Sequence, residues 1–475
     1  MPSTINGVIW SAIERFSVQG VSFLLSIVIA RLVTPGEYGL IAMLAIFMAI
    51  AQTFIDSGFG NALIQKKDRD EVDYSTVFYF NIAVSSILYV VLYFCAPLIS
   101  RFYNEPELTA VTRWIGLNLI FISFSTVQRT RLNIDLNFKL QAKISLAAVI
   151  VSGLVGIVLA YHGFGVWALV FQSLSNNLLV TILLWISAKW HPLLTFSVSS
   201  FKRLFSFGSK LLASGLLHTI YLNLYSLVIG KFYNAADVGF YNRAYTISQY
   251  PSTNIVMIMT RAMYPVQCAH QDDDQWLVNN FLSYLRMACF IVFPLMTLLA
   301  VIAKPLVLIV LTEKWLPAAE LISILSIAYM WYPVMVINNQ ILNVKGRSDL
   351  FLRLEIIKKI IALAILLATL PLGVVCLCWG VVFYNLCDMF LTIYFTRKVI
   401  NTTYGSQFNA LKVIIGVSAI SVLVSYICMS LVSSSGLQFI FGTTIYILLF
   451  ILMSRILKFK EADSILKILY HYKTK

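Results

Sequence analysis

Charge is scarce in this chain. Of its 475 residues, 12% are Asp, Glu, Lys or Arg and 59% are hydrophobic, against about 25% and 45–50% in soluble domains. Too little polar surface exists to coat a water-soluble fold, which excludes the ordinary globular classes. No Gly-x-x-x-x-Gly-Lys-Ser/Thr loop occurs, so an ATP-driven exporter carrying its own nucleotide domain is excluded. The five histidines and seven cysteines are scattered. Cys376-x-Cys378 has neither a second pair nor nearby histidines, so no metal site and no cofactor is expected, and packing accounts for these thiols. The opening Met1-Pro2-Ser3-Thr4-Ile5-Asn6-Gly7 lacks the basic start and small-residue cleavage site of a signal peptide, so the first apolar stretch is expected to remain in the mature protein.

What is present is apolar length. Mean hydropathy is +0.83. A helix of about 20 apolar residues crosses the roughly 30 Å hydrocarbon layer. Windows of that kind fall near residues 10–32, 39–61, 77–99, 111–131, 142–162, 164–187, 208–230, 241–265, 284–306, 320–342, 355–372, 374–397, 410–431 and 437–454. The expected fold is an all-α polytopic membrane protein of about 14 spans.

The formal net charge of +14 therefore poses a topology question before it suggests a nucleic acid, and no nucleic-acid partner is expected. Lys66, Lys67 and Arg69, then Arg129, Arg131, Lys139 and Lys143, then Lys189, Lys202, Arg203 and Lys210 lie at alternate connections, as do Lys345, Arg347, Arg353, Lys358 and Lys359. Summed by side, about 25 basic residues face about 5, so the positive-inside rule puts both termini in the cytoplasm. The tail with Arg455, Lys458, Lys460, Lys467, Lys473 and Lys475 suits anionic lipid. Asp272-Asp273-Asp274 dissents within one cytoplasmic connection.

An internal repeat is legible. Val28-Ile29-Ala30-Arg31-Leu32-Val33-Thr34-Pro35-Gly36-Glu37-Tyr38-Gly39-Leu40 lies without gaps on Val228-Ile229-Gly230-Lys231-Phe232-Tyr233-Asn234-Ala235-Ala236-Asp237-Val238-Gly239-Phe240. Each copy ends a helix with a base, turns with an acid, and restarts past a glycine that relieves a tight backbone. Six spans separate the copies, so both halves enter the membrane in the same sense, as in parallel-repeat transporters.

Polar residues inside the spans mark candidate sites, because a charge at the bilayer centre costs about 2.5–3.5 kcal/mol. On the first span Ser11, Arg15, Gln19, Ser22 and Ser26 share one helical face; on the seventh, Lys210, Ser214, His218, Tyr221 and Tyr225 do. Two such stripes, each with a cation toward the cytoplasm, suit the walls of an anion-attracting cleft. Close packing by serines and snorkelling of Lys210 suit them as well. Arg261 and Arg286 flank one cytoplasmic loop and could meet a phosphate. Asp56 and Asp388 are the deeper acids, each suited to binding a coupling cation or to pairing with a basic side chain. Pro251, Pro294 and Pro333 are expected to interrupt their helices as kinks.

Ala30-Arg31-Leu32-Val33-Thr34-Pro35-Gly36-Glu37-Tyr38-Gly39, Gly230-Lys231 with Gly239-Phe240-Tyr241-Asn242-Arg243-Ala244-Tyr245, Tyr264-Pro265, Glu313-Lys314-Trp315-Leu316-Pro317-Ala318-Ala319 and Gly346-Arg347-Ser348-Asp349 carry a resemblance. Over nearly its whole length the chain resembles the Wzx-like polysaccharide-transport branch of the multidrug/oligosaccharidyl-lipid/polysaccharide exporter superfamily. The resemblance implies two pseudo-symmetric six-helix lobes around a cavity lined by the first and seventh spans, followed by two extra helices. The corresponding segments are 1–200, 201–400 and 401–475. It implies a non-enzymatic flippase that moves undecaprenyl-diphosphate-linked repeat units of O-antigen, capsule or exopolysaccharide across a bacterial inner membrane by alternating access. Its implied partners are the lipid-linked oligosaccharide, the bilayer, and polysaccharide polymerase and chain-length machinery. Tyr225 departs from the pattern, since relatives often carry an acid there.

Two rivals stand beside this reading. A multidrug exporter of the same superfamily should have acidic and aromatic cavity walls, which the cationic stripes oppose. A membrane glycosyltransferase or polymerase would have to use Asp272-Asp273-Asp274, which sits in a connection too short for a sugar-nucleotide domain.

Overall fold

The computed structural model describes residues 2–56, 58–188 and 190–463, with side chains from residue 17 onward except those at 206, 207, 210 and 211. All regular structure among the described residues is helical. The chain divides into two compact units, Met1–Gly239 and Phe240–Lys475.

The first unit holds α1 (Pro2–Leu32), α2 (Pro35–Asp56), the short α3 (Phe59–Gln65), α4 (Glu71–Tyr103), α5 (Leu108–Ile115), α6 (Leu117–Ile134), α7 (Phe138–Tyr161), α8 (Val166–Ala188) and α9 (Val198–Phe232), and it ends in the first turn of α10 (Ala235–Ala269). Local chemistry sets these boundaries. Glu37 Oε2 accepts from the Thr34 amide and hydroxyl, each at 2.7 Å, at the start of α2. Asp70 and Asp73 cap α4 reciprocally, at 2.8 and 3.1 Å. Gly58, at φ 69°, turns the chain between α2 and α3.

Helices here approach closely at glycine. Leu25 and Ile29 of α1 seat over Gly153 and Gly156 of α7, where an added Cβ would lie 2.3 and 3.0 Å from them. α9 packs on α2, with Thr53 and Thr219 hydroxyls 3.0 Å apart. The tightest approach joins the two copies of the sequence repeat: a Cβ on Gly39 would lie 1.6 Å from the Ala235 carbonyl oxygen, and one on Gly239 would lie 2.0 Å from that of Pro35. The first turns of α2 and α10 thus cross backbone to backbone, and the glycine expected to relieve a tight backbone does so in both copies.

The stretch between α8 and α9 is fastened to α4. Trp190 Nε1 donates to Glu71 at 2.6 Å, the Leu193 amide to Ser75 Oγ at 2.9 Å, and the Ser197 amide to Thr76 Oγ1 at 3.1 Å. Ser75 is fully buried. Ser75→Ala should therefore cost about 0.5–1.5 kcal/mol by removing its hydrogen bond to the Leu193 amide. A lowered melting temperature in detergent, without a change in helical content, is the expected readout.

The second unit holds the rest of α10, then α11 (Asp274–Val310), α12 (Leu316–Met330), α13 (Tyr332–Val344), α14 (Ser348–Thr369), α15 (Val374–Thr396), α16 (Tyr404–Ser430) and α17 (Ser435–Ile456). Its core gathers on α11, where Phe281, Leu285, Ala288, Cys289, Phe293 and Met296 are fully buried together with Ile337 and Ile341 of α13, Ile414 of α16 and Tyr446 of α17. The family-like residues Phe240, Arg243 and Trp315 pack on one another: Trp315 is fully buried, the Arg243 guanidinium lies 5.4 Å over its ring, and Phe240 meets its edge at 6.1 Å. α10 and α11 run on through Pro251 and Pro294, so these prolines do not break their helices. Pro333 stands in the first turn of α13, next to the break at Trp331, because proline costs little at a helix start.

Among the described residues, eleven helical stretches are long and apolar enough to cross a membrane, and the protein is a multi-pass membrane protein. Three further long helices, α1, α10 and α14, are compatible with fourteen spans. α1 enters with its apolar stretch Ser17–Leu32. α14 falls short on hydropathy because Asp349, Arg353, Glu355, Lys358 and Lys359 share one 22-residue helix.

Candidate functional site

In the first unit the two expected stripes lie on α1 and α9. The side chains of Ser11, Arg15 and Lys210 are outside the described residues. Gln19, Ser22 and Ser26 are half-buried and run beside the Leu25 and Ile29 face that meets α7. On α9, Ser214 and His218 are exposed and Tyr221 and Tyr225 half-buried. They fall roughly 110° around the helix from Gly215 and Thr219, which meet Thr53 of α2. The α9 stripe therefore lies to the side of the α2 contact.

Asp56 opens onto a polar pocket of about 440 Å³ formed by α2, α3, α6 and α8. Gln52 and Asp56 come from the end of α2, and Gly58 and Gly60 from the turn that starts α3 with Asn61. Ser125, Thr126, Arg129, Thr130 and Asn133 come from α6, and Asn177 from α8. Gln52 Nε2 donates to Asp56 Oδ1 at 3.1 Å. Asn177 is positioned by donating to Asn118 Oδ1 at 2.8 Å, while Asn118 donates to Ser173 Oγ at 3.0 Å. Gln141 Nε2 donates to Asn133 Oδ1 at 2.8 Å.

Sequence reasoning counted Arg129 only as a topological charge and missed the pocket. A signal was available: Ser125, Arg129 and Asn133 are spaced by four, as are Ile122, Thr126 and Thr130, which marks one polar side of an otherwise apolar span.

In the second unit the expected residues separate. Arg261 is exposed and lines a pocket of about 520 Å³ with Thr260, Tyr264, Asn339, Gln340 and Asn343. Arg286 does not line it; its Nε lies 2.8 Å from Glu461 Oε1, and Glu461 is buried. Asp388 is buried 3.1 Å from Lys358 Nζ, which also reaches Glu355 at 2.9 Å, while the Thr392 hydroxyl donates to Asp388 Oδ1 at 3.1 Å. Of the two uses open to Asp388, the structure displays pairing with a base. At the exposed start of α14, Arg347 just before the helix grips Asp349 of its first turn with two hydrogen bonds of 2.9 Å, and this contact holds the carboxyl down at about 2. Gly346, at φ 65°, makes the turn that presents them.

All seven cysteines are free thiols. Among the described residues no group of three His, Cys, Asp or Glu side chains is placed to hold a metal.

These features sit in a fold and a sequence with known relatives. Over 352 residues, 73% of this chain and 72% of the relative, the sequence is 29% identical to the teichuronic acid biosynthesis protein TuaB of Bacillus subtilis. It is 25% identical to the lipopolysaccharide biosynthesis protein WzxC of Escherichia coli over 427 residues, 89% and 87% of the two chains. The lipid II flippase MurJ, in an inward closed conformation, shares the fold with a TM-score of 0.76 at 13% identity, over 94% of this chain and 98% of that one. The polysaccharide biosynthesis protein family matches residues 28–320, more than half the chain, and the protein belongs to that family.

Proposed function

We propose that the protein is a flippase that moves undecaprenyl-diphosphate-linked oligosaccharide repeat units across the cytoplasmic membrane by alternating access. One observation carries the reading: a member of a polysaccharide biosynthesis family is built almost wholly of membrane-crossing helices, with no soluble catalytic domain among its described residues. The step such a chain contributes is passage through the bilayer. WzxC and TuaB act by name in polysaccharide biosynthesis, and MurJ is by name a lipid II flippase.

The physical problem is a diphosphate and sugars that must cross hydrocarbon while a polyprenyl tail stays in it. Arg15 and Lys210 at the inner ends of the α1 and α9 stripes replace water around the diphosphate, and exposed Ser214 and His218 continue the polar track. The exposed Arg261 supplies a further cation, and Arg286, held by Glu461, a positioned one. Both termini lie in the cytoplasm, and polymerase and chain-length machinery receive the product outside. The two six-helix repeats correspond to 1–200 and 201–400, with 401–475 as an appended pair and tail. Inside-negative potential favours outward passage of an anion by about 2.3 kcal/mol per charge per 100 mV.

The test is translocation of a labelled undecaprenyl-diphosphate oligosaccharide in proteoliposomes, read by its accessibility to an external glycan-modifying enzyme. Protein-dependent movement without ATP is expected, and Arg15→Ala with Lys210→Ala should abolish it while leaving membrane insertion intact. Movement of cationic dyes but not of the glycan would replace this reading with a drug exporter.

A further inference from the structure

The pocket at Asp56 differs from three ion-paired sites of the two units. Lys66 pairs with Asp73, Arg286 with Glu461, and Lys358 with Asp388 and Glu355. Asp56 and Arg129 line one pocket yet form no ion pair within 4.0 Å, and the Arg129 guanidinium takes no hydrogen-bond partner among the described residues. Asn61 likewise makes no side-chain hydrogen bond among them, and it is exposed into the pocket. An acceptor, a cation and carboxamides are thus held apart around one space.

The charge balance narrows the ligand. A diphosphate would meet the Asp56 carboxylate, and a cationic drug would meet Arg129 with no aromatic ring among the lining residues to sit against. A neutral ligand rich in hydroxyls suits both. A carboxylate accepts from two vicinal hydroxyls, a guanidinium donates to hydroxyl or ring oxygens, and carboxamides do both. The volume of about 440 Å³ lies toward the small end of ligand pockets, about 300–1,000 Å³, so it takes a short piece of a glycan rather than a whole lipid-linked unit.

We infer that this pocket of the first unit, with Asp56 as acceptor, Arg129 as donor and Asn61 and Asn177 beside them, is a subsite for a neutral glycosyl unit of the cargo. None of the residues proposed for the diphosphate is among its lining residues. The inference rests on the flippase reading and names what that reading left open, the part of the chain that touches sugar.

The experiment uses the full chain in nanodiscs and two probes: undecaprenyl diphosphate alone, and the undecaprenyl-diphosphate repeat unit purified from cells that produce the protein. The wild type should bind the glycan-bearing lipid more tightly. Asp56→Asn and Asn61→Ala should each weaken that lipid about ten- to hundredfold, the effect of losing a charge-assisted or buried hydrogen bond, and leave the bare lipid unchanged. Asn61→Ala removes an exposed side chain without a partner, so it also reports if Asp56→Asn unfolds. Equal weakening for both lipids, or no wild-type preference, overturns the subsite while leaving the flippase reading standing. A sodium-induced rise in melting temperature that Asp56→Asn abolishes also overturns it, in favour of a cation site. If neither lipid binds the wild type, the flippase reading falls and the subsite with it.

Discussion

Gly39→Ala is expected to leave almost no folded protein in the membrane. The added Cβ would lie 1.6 Å from the Ala235 carbonyl oxygen and 2.5 Å from its carbon. Both are backbone atoms, so no rotamer change relieves the overlap and a whole helix must move. Relaxation is blocked on the other side, where Gly239 meets the Pro35 carbonyl and the Gly39 amide nitrogen. A forced shift at such a crossing exceeds the about 1–3 kcal/mol of ordinary overpacking and enters the range beyond about 4–5 kcal/mol reserved for structural failures. Gly239→Ala should behave alike. Gly36→Ala, three residues away and with nothing within 4 Å of its added Cβ, should give near wild-type yield and melting temperature. Normal folding of Gly39→Ala would show that the two first turns do not cross at this distance.

That crossing was legible in the sequence because the repeat preserved what geometry needs. Glycine recurs at 39 and 239, and a side-chain cap recurs as Thr34 and Asn234, whose Oδ1 accepts from the Asp237 amide at 2.9 Å. The spans were legible for an equally physical reason, since hydropathy is what selects a membrane segment. Hydropathy is blind to direction around a helix, however, and that is where the reading stopped. Arg129 and Lys358 both entered the sequence argument as charges that orient the chain. Arg129 instead lines a pocket of the first unit, and Lys358 is buried against a carboxylate on the following helix. A charge's sign votes on topology, but its partner is set by tertiary packing. Pro251 and Pro294 show the same limit: loss of one hydrogen bond is visible in sequence, whereas continuation of α10 and α11 through it depends on the surrounding helices.

Lys358→Met should strongly destabilise the second unit, and Asp388→Leu made in the same chain should recover most of the loss. Lys358 and Asp388 are 8% and 9% exposed as side chains and lie 3.1 Å apart. Removing the ammonium leaves Asp388 with the Thr392 hydroxyl alone, and breaking a buried pair from one side costs about 3–5 kcal/mol. Asp388→Leu by itself should cost less, because Glu355 still holds Lys358 at 2.9 Å. Replacing both members removes the uncompensated charge, and apolar replacements of buried pairs are often neutral or stabilising. Thermal unfolding of the four proteins in one detergent gives the cycle, and additive losses would show that the two groups do not interact. The same four proteins decide what the pair is for. If pairing accounts for Asp388, the double variant should move glycan at close to the wild-type rate once its stability returns. Recovered stability with lost transport would instead return Asp388 to ion coupling, with Lys358 as the side chain that competes with the ion for its carboxylate.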